Sequence, residues 1–142
     1  MPKIIVGVDG SEHSQQALDW ALNEARARQA PLTVISVHPS LGSYWGAVIY
    51  PAGDLDTEDA RHEVQALVDK AVSRLDGTPP PITVLVTPGS PAAELLDAAK
   101  DADLLVVGRR GAGGFARLML GSVSSQVAHH AHCPVVVVRG QG

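Results

Sequence analysis

Five short apolar runs alternate with four longer amphipathic segments along the chain. The runs are nearly continuous in valine, isoleucine and leucine, which is typical of strands buried on both faces of a parallel sheet. The pattern therefore predicts five buried strands. They span Ile4 to Val8, Leu32 to Val37, Ile82 to Val86, Leu104 to Val107 and Val135 to Val138.

The four intervening segments repeat their apolar positions with the period of a helix. Ser11 is the expected N-cap of the first helix, and Ser90 is followed by Pro91, a residue suited to the first turn of the third. The predicted helices cover residues 12–28, 57–75, a segment that begins at 91, and 122–131.

Strict alternation of strands and helices predicts right-handed crossovers and a sheet covered on both faces. We expect a doubly wound α/β fold with strand order 3-2-1-4-5, formed as one domain over residues 1–142. Ligands of such sheets bind outside the carboxyl ends of the strands, where the strand order reverses. Here that point lies between strands 1 and 4, and Asp9 and Gly108 stand at the carboxyl ends of these two strands.

Composition narrows the classes of partner. The chain has 142 residues, 45% of them hydrophobic, and a net charge of −4, which indicates a packed core and argues against nucleic acid or anionic membrane as partners. No apolar leader is recognisable, and no run approaches the roughly 20 residues that cross a bilayer. Cys133 is the single cysteine, which suits a reducing compartment, so we expect a cytoplasmic protein.

The most informative motif is the glycine-rich segment GRRGAGGFARLMLGS, which follows the fourth strand. Gly108 and Gly111 stand three apart, and Gly121 and Ser122 open the next helix ten residues later. Glycines let backbone N–H groups converge on phosphate oxygens, and a helix N-terminus adds further donors. The spacing predicts a nucleotide site, with ATP as the expected ligand.

Other interpretations of this segment are a simple chain reversal and a dinucleotide fingerprint. Residues 111–116 fit the fingerprint formally, but they follow the fourth strand and stand well before the next helix. The Gly-Lys-Ser/Thr ending of a P-loop is absent from the sequence. Arg109, Arg110 and Arg117 suit either phosphate oxygens or a solvated surface.

Candidate catalytic and metal-binding groups are few. Asp9 suits a ribose hydroxyl, Mg²⁺ held with the phosphates, or the cap of the first helix. A zinc site at residues 129–133, which include three histidines and Cys133, is disfavoured because histidines are also favourable at a helix C-terminus. No nucleophile elbow or HExxH motif is present, so the sequence favours a binding protein over an enzyme, with slow ATPase activity as the alternative.

Two further segments suggest contacts with partners. Residues 38–56 are predicted to form one long irregular connection, which contains Tyr44, Trp45 and Tyr50. These aromatic side chains belong either to a lid or partner surface, or to a patch packed on the sheet edge and the second helix. The last strand, Val135 to Val138, is an uncharged edge strand in the expected order. Such an edge predicts a homodimer paired antiparallel across a two-fold axis.

Three segments together resemble the universal stress protein family. They are the opening IIVGVDGS, the pattern Gly108-x-x-Gly111-x₉-Gly121-Ser122, and the closing CPVVVVR. The glycine pattern is that of the family's ATP-binding branch. One departure is Gly7, where some ATP-binding members carry proline.

The resemblance implies a role for each matching position. Asp9 would meet the ribose or phosphates, and Val37 would lie against adenine. The backbone of Gly108 and Gly111 would follow the ribose and phosphate turn, with donors from Gly121, Ser122 and Ser124 on the phosphates. The candidate set is completed by Gly7, Val107, Arg110 and Val123.

In function, the resemblance implies an ATP-binding regulatory protein of the stress response. Such a protein would present a nucleotide-dependent surface to protein partners not identified by the sequence, and homodimers through the last strand are common in the family. The alternatives are a slow ATPase or other nucleotide-dependent enzyme at the same site, a binder of AMP or cyclic AMP, and an interaction module with an empty site.

Overall fold

The computed structural model describes residues 3–9, 12–38, 44–45, 48–49, 57–108 and 122–139. Strands and helices alternate along the chain, apart from two short strands after β2 and a 3₁₀ turn after α3. In chain order, the elements are β1 Ile4–Val8, α1 Glu12–Arg28, β2 Leu32–His38, β3 Tyr44–Trp45, β4 Val48–Ile49, α2 Thr57–Arg74, β5 Ile82–Pro88, α3 Pro91–Ala98, β6 Leu104–Gly108, α4 Ser122–His130 and β7 Val135–Val138.

The five longer strands form one parallel sheet in the order β5-β2-β1-β6-β7. Counted among these five, the order is 3-2-1-4-5, so the predicted doubly wound fold is confirmed. Three of the strands run one or two residues further toward their carboxyl ends than the apolar runs indicate. The added residues are His38, Thr87, Pro88 and Gly108, which hydrophobicity alone does not mark as strand.

The connection after β2 contains a separate two-stranded ribbon, so the prediction of a wholly irregular connection is wrong in this detail. β3 pairs antiparallel with β4, with Tyr44 opposite Ile49 and Trp45 opposite Val48. Strands of two residues are too short to show the alternation that marks a strand in sequence. Tyr50 and the packing of the aromatic side chains lie outside the described residues.

Each face of the sheet carries its own apolar cluster, because successive side chains of a strand point to opposite faces. Ile4 and Val6 pack with Leu18 of α1 and Val64 of α2. Ile5 lies on the other face and packs in the cluster that α3 and α4 cover. The sheet is therefore buried on both sides, as the continuous apolar runs predict.

Ion pairs contribute little beside this burial. Arg74 of α2 reaches Asp19 of α1 at 2.8 Å, and both side chains are partly exposed. Arg26 of α1 donates to the main-chain oxygen of Asp76, which follows α2. Partly exposed ion pairs such as Arg74 with Asp19 contribute about 0–1 kcal/mol each to the free energy of unfolding. The apolar contacts of α1 and α2 therefore dominate the attachment of these helices to the sheet.

The start of α3 lies where the sequence predicts it, with Ser90 at the N-cap and Pro91 in the first turn. The Ser90 side chain makes no capping hydrogen bond. Its main-chain oxygen accepts a hydrogen bond from the Glu94 N–H instead. Pro91 fixes a helical φ and has no N–H group that requires an acceptor, which helps the helix to start without a side-chain cap.

The sheet has two edge strands, β5 and β7. The sequence prediction dealt with the edge at β7 and left β5 unconsidered. On β5, the side chain of Leu85 is 46% exposed, whereas Leu105 in the interior strand β6 is fully buried. Position within the sheet therefore separates two leucines that lie in equally apolar stretches of sequence.

These two leucines give a matched test of the fold. Leu105→Ala leaves a cavity between β6 and the helices above it, and we expect a loss of about 2–5 kcal/mol in the free energy of unfolding. Leu85→Ala removes a half-exposed side chain and should cost less than about 1 kcal/mol. Urea unfolding followed by circular dichroism measures both losses, and equal losses would contradict the assignment of β5 to the edge.

Candidate functional site

The site begins where the two halves of the sheet separate. β1 pairs with β6 from Ile4↔Leu104 to Val6↔Val106, and this pairing ends two residues before either strand does. β1 stays paired with β2 as far as Val8↔Ser36, and β6 stays paired with β7 as far as Gly108↔Val138. The sheet therefore opens between β1 and β6 at its carboxyl edge, which is the topological switch point of the fold.

Asp9 and Gly108 stand on the two sides of this opening. Asp9 directly follows β1 and is exposed, and Gly108 is the half-buried last residue of β6. The crossover from β6 to β7 returns through α4, so α4 begins at the same edge of the sheet. The structure thus brings together the three parts that the sequence assigned to one site: the end of β1, the end of β6 and the start of α4.

Predicted contact residues line the apolar layer next to the opening. Val107 is buried in the cluster beneath α3 and α4, and Val37 and Val123 pack against that cluster. Val37 ends up near the carboxyl end of β2, paired with Thr87 of β5. These positions give the carboxyl edge an apolar floor on the face that α3 and α4 cover.

Gly7 meets α3 at very short range. A Cβ atom at this position would lie 2.8 Å from Cδ1 and 3.0 Å from Cδ2 of Leu95. Leu95 itself is only 4% exposed. The space that a side chain on β1 would occupy is therefore filled from α3, and a larger residue at position 7 would require Leu95 to shift.

Leu95 is the residue at this site that the sequence prediction missed. An isolated glycine within an apolar strand often marks a close approach of another element, and Gly7 carried that signal. The sequence does not show which element approaches, because Leu95 lies 88 positions further along the chain.

The first turn of α4 holds the predicted phosphate donors. Ser122 is the first residue of α4, and the Ser124 side chain is 3% exposed. Three other members of the predicted set, Arg110, Gly111 and Gly121, lie outside the described residues, as do Arg109, Arg117, Gly10 and Ser11. Their roles stay predictions from the sequence.

The histidines near the end of α4 make helix-terminal contacts. The His129 Nδ1 lies 2.7 Å from the main-chain oxygen of Ser125, and the rings of His129 and His130 are 6.5 Å apart. Within the described segments, no group of three or more His, Cys, Asp or Glu residues is placed to hold a metal ion. Burial raises the pKa of the Cys133 thiol, and the charge of Asp103 adds to the rise.

No helix in the described ranges is both long and apolar enough to cross a membrane.

The fold is that of a doubly wound α/β protein whose sheet opens between β1 and β6 at its carboxyl edge. The family model for the universal stress protein family matches residues 1–139, and the chain belongs to this family. A universal stress protein of Mycolicibacterium smegmatis is 40% identical over 141 residues, which cover 96% of this chain and 48% of that protein. The chain thus spans about half the length of that relative.

Two similar solved structures contain a nucleotide. A universal stress protein in complex with cAMP is 27% identical, with a TM-score of 0.72 over 97% of this chain and 96% of that chain. The universal stress protein from Archaeoglobus fulgidus in complex with dAMP is 28% identical, with a TM-score of 0.60 over 96% of each chain. Both share the parallel α/β architecture of this protein.

The raised pKa of Cys133 predicts a slow thiol. At pH 8 a smaller fraction is thiolate than in an ordinary cysteine, whose pKa is about 8.5, so alkylation by iodoacetamide should be slower in the folded protein than in urea. Thiolate absorbance against pH supplies the midpoint. A midpoint at or below that of the urea-unfolded control would contradict the burial of Cys133 and reopen the metal-ligand interpretation.

Proposed function

We propose that this protein binds an adenine nucleotide, with ATP as the ligand, in the opening between β1 and β6. The observation that carries the proposal is the early end of the β1–β6 pairing at Val6↔Val106. It leaves a crevice at the switch point, where doubly wound sheets hold their ligands. The glycine pattern of residues 108–122 follows β6 directly and supplies the chemistry for phosphates.

The nucleotides in the two similar structures support the choice of base. cAMP and dAMP both contain adenine and one phosphate, and the proposed ATP contains the same base. A family member with the same fold and an intact glycine pattern is expected to hold adenine in the corresponding place. The choice of ATP among adenine nucleotides rests on the glycine pattern, which resembles that of the family's ATP-binding branch.

The described residues fit such a ligand. Val37 offers an apolar contact for the base, and Asp9 offers a carboxylate for a ribose hydroxyl or for Mg²⁺ carried by the phosphates. The N–H groups at the start of α4 face the same edge and favour an anion. Gly111, Gly121 and Arg110 complete the phosphate subsite in this proposal.

We infer that the protein has a regulatory role in the stress response, in which bound ATP alters a surface to which protein partners bind. The role in the stress response is inferred from the family, and nucleotide binding is inferred from the site. Slow hydrolysis is the alternative that the sequence left open. Incubation with ATP followed by chromatography distinguishes the two, because a binding protein returns ATP and an ATPase returns ADP over repeated turnovers.

The direct test is titration of the purified protein with ATP, AMP and cAMP by calorimetry, together with chromatography of nucleotide released by denaturation. We expect binding, with ATP preferred. Absence of binding by all three at millimolar concentration would overturn the proposal and leave an interaction module with an empty site.

Gly111→Glu tests the phosphate subsite. It adds bulk and a negative charge where the glycine pattern predicts phosphate oxygens, so we expect ATP affinity to fall by about a hundredfold or more, equivalent to about 2.7 kcal/mol. Ala128→Glu adds the same side chain at an exposed position of α4 and serves as the matched control. Equal affinities in the two variants would contradict the assignment of Gly111.

We also infer a homodimer through β7, paired antiparallel with the β7 of a second copy. β7 lies at the edge of the sheet, carries four valines and no charge, and each valine is half-buried. Unpaired edge groups and uncharged side chains favour strand addition. The short strand allows an isologous two-fold contact.

Hydrogen exchange compares the two edges without any substitution. In a β7 homodimer, the outward N–H groups of Val135–Val138 become protected as the protein concentration rises, whereas exchange in β5 stays independent of concentration. Sedimentation equilibrium over the same range gives the mass. A monomeric mass at micromolar concentration, or concentration-dependent protection of β5 instead, would overturn this interface.

A further inference from the structure

Gly7 is required by space rather than by backbone conformation. Among the described glycines, those with positive φ are Gly77 at 102° and Gly89 at 133°, and Gly7 is not one of them. Any residue could therefore adopt the backbone of Gly7. A Cβ atom would lie 2.8 and 3.0 Å from the δ-carbons of Leu95, so the leucine side chain would have to shift to admit it.

Leu95 has little freedom to move away. It is 4% exposed and packs in one cluster with Ile5, Ile35 and Leu105, each at most 3% exposed. Interiors packed this closely transmit strain instead of absorbing it. An added side chain at position 7 would therefore shift β1 or α3.

The contact lies where such a shift has the most effect. Gly7 is the first residue of β1 after the last β1–β6 pair, and Asp9 follows two residues later. On its other side, Gly7 is still paired with Ile35 of β2. Within the sheet, Gly7 and Val8 are thus paired with β2 and not with β6, and Leu95 lies against Gly7 on the face that α3 covers.

We propose that Leu95 is a positioning residue for the nucleotide site, acting through Gly7. By filling the space above Gly7, its side chain fixes the position of the end of β1 along the normal of the sheet, and so it sets the place of Asp9 relative to Gly108. This inference rests on the proposed nucleotide function. It adds α3, an element without a predicted ligand contact, to the parts that determine affinity.

A double-mutant cycle on the full chain tests the inference, with ATP affinity measured by calorimetry. Gly7→Ala should lower the affinity about tenfold, equivalent to about 1.4 kcal/mol. Leu95→Val removes the δ-carbons that fill the space above Gly7 and alone should lower the affinity about threefold, equivalent to about 0.65 kcal/mol. Combined with Gly7→Ala, it should restore the affinity to the level of Leu95→Val alone.

Val127→Ala is the control for a general loss of stability. Val127 is fully buried in the same cluster, so this variant should lower the unfolding temperature and leave ATP affinity unchanged. If Gly7→Ala fails to fold, Leu95→Phe is the substitute variant. It adds side-chain volume on the α3 side of the same contact and should weaken ATP binding by a similar factor.

The outcomes separate this inference from the function on which it rests. No ATP binding by the unaltered protein overturns the proposed function. ATP binding that Gly7→Ala and Leu95→Phe leave unchanged overturns the positioning role of Leu95, and so does a Gly7→Ala defect that Leu95→Val fails to restore. Restoration of affinity in the double variant, beside an unchanged affinity in Val127→Ala, supports the inference, because a general loss of stability in this cluster would lower the affinity of Val127→Ala as well.

Discussion

The pairing of β1 with its two neighbours is the constraint on which the rest of this structure depends. β1 is the central strand, and Ile4, Ile5 and Val6 are at most 1% exposed. Its ladder with β2 holds one half of the sheet, and its ladder with β6 holds the other. Because the second ladder ends first, the same strand that joins the two halves also creates the opening between them.

The sequence predicted the elements well because burial on both faces leaves a strong signal. Continuous apolar runs marked all five strands of the sheet, and their alternation with helices predicted that the strands are parallel. The order 3-2-1-4-5 was expected because it is common among doubly wound folds. Strand ends at His38 and Pro88 were missed because pairing there depends on a neighbouring strand and not on hydrophobicity. The ribbon at Tyr44–Trp45 was missed for a different reason, since two residues carry no period.

For the site, the sequence located the ends of β1 and β6 and the start of α4, because topology requires them to meet at one edge. It did not find Leu95, because contact between α3 and β1 depends on packing across residues distant in the chain. The two outcomes have one physical origin. Periodicity in the sequence predicts which face of its element a residue occupies. How closely a helix packs on the sheet depends instead on the side-chain volumes of both the helix and the sheet.

Within the proposed function, the division of the site between strands and the glycine-rich segment also separates two kinds of selectivity. Val37 and Asp9 lie at the ends of paired strands, so the subsite for base and ribose is attached to the sheet and to the contact of Leu95 with Gly7. Gly111 and Gly121 belong to the segment between β6 and α4. The N–H donors of this segment would bind the phosphates. Discrimination between adenine and other bases should therefore follow the packing of α3 on β1. The preference among ATP, AMP and cAMP should follow the sequence from 109 to 121, so substitutions in the two regions are expected to change different properties of the same site.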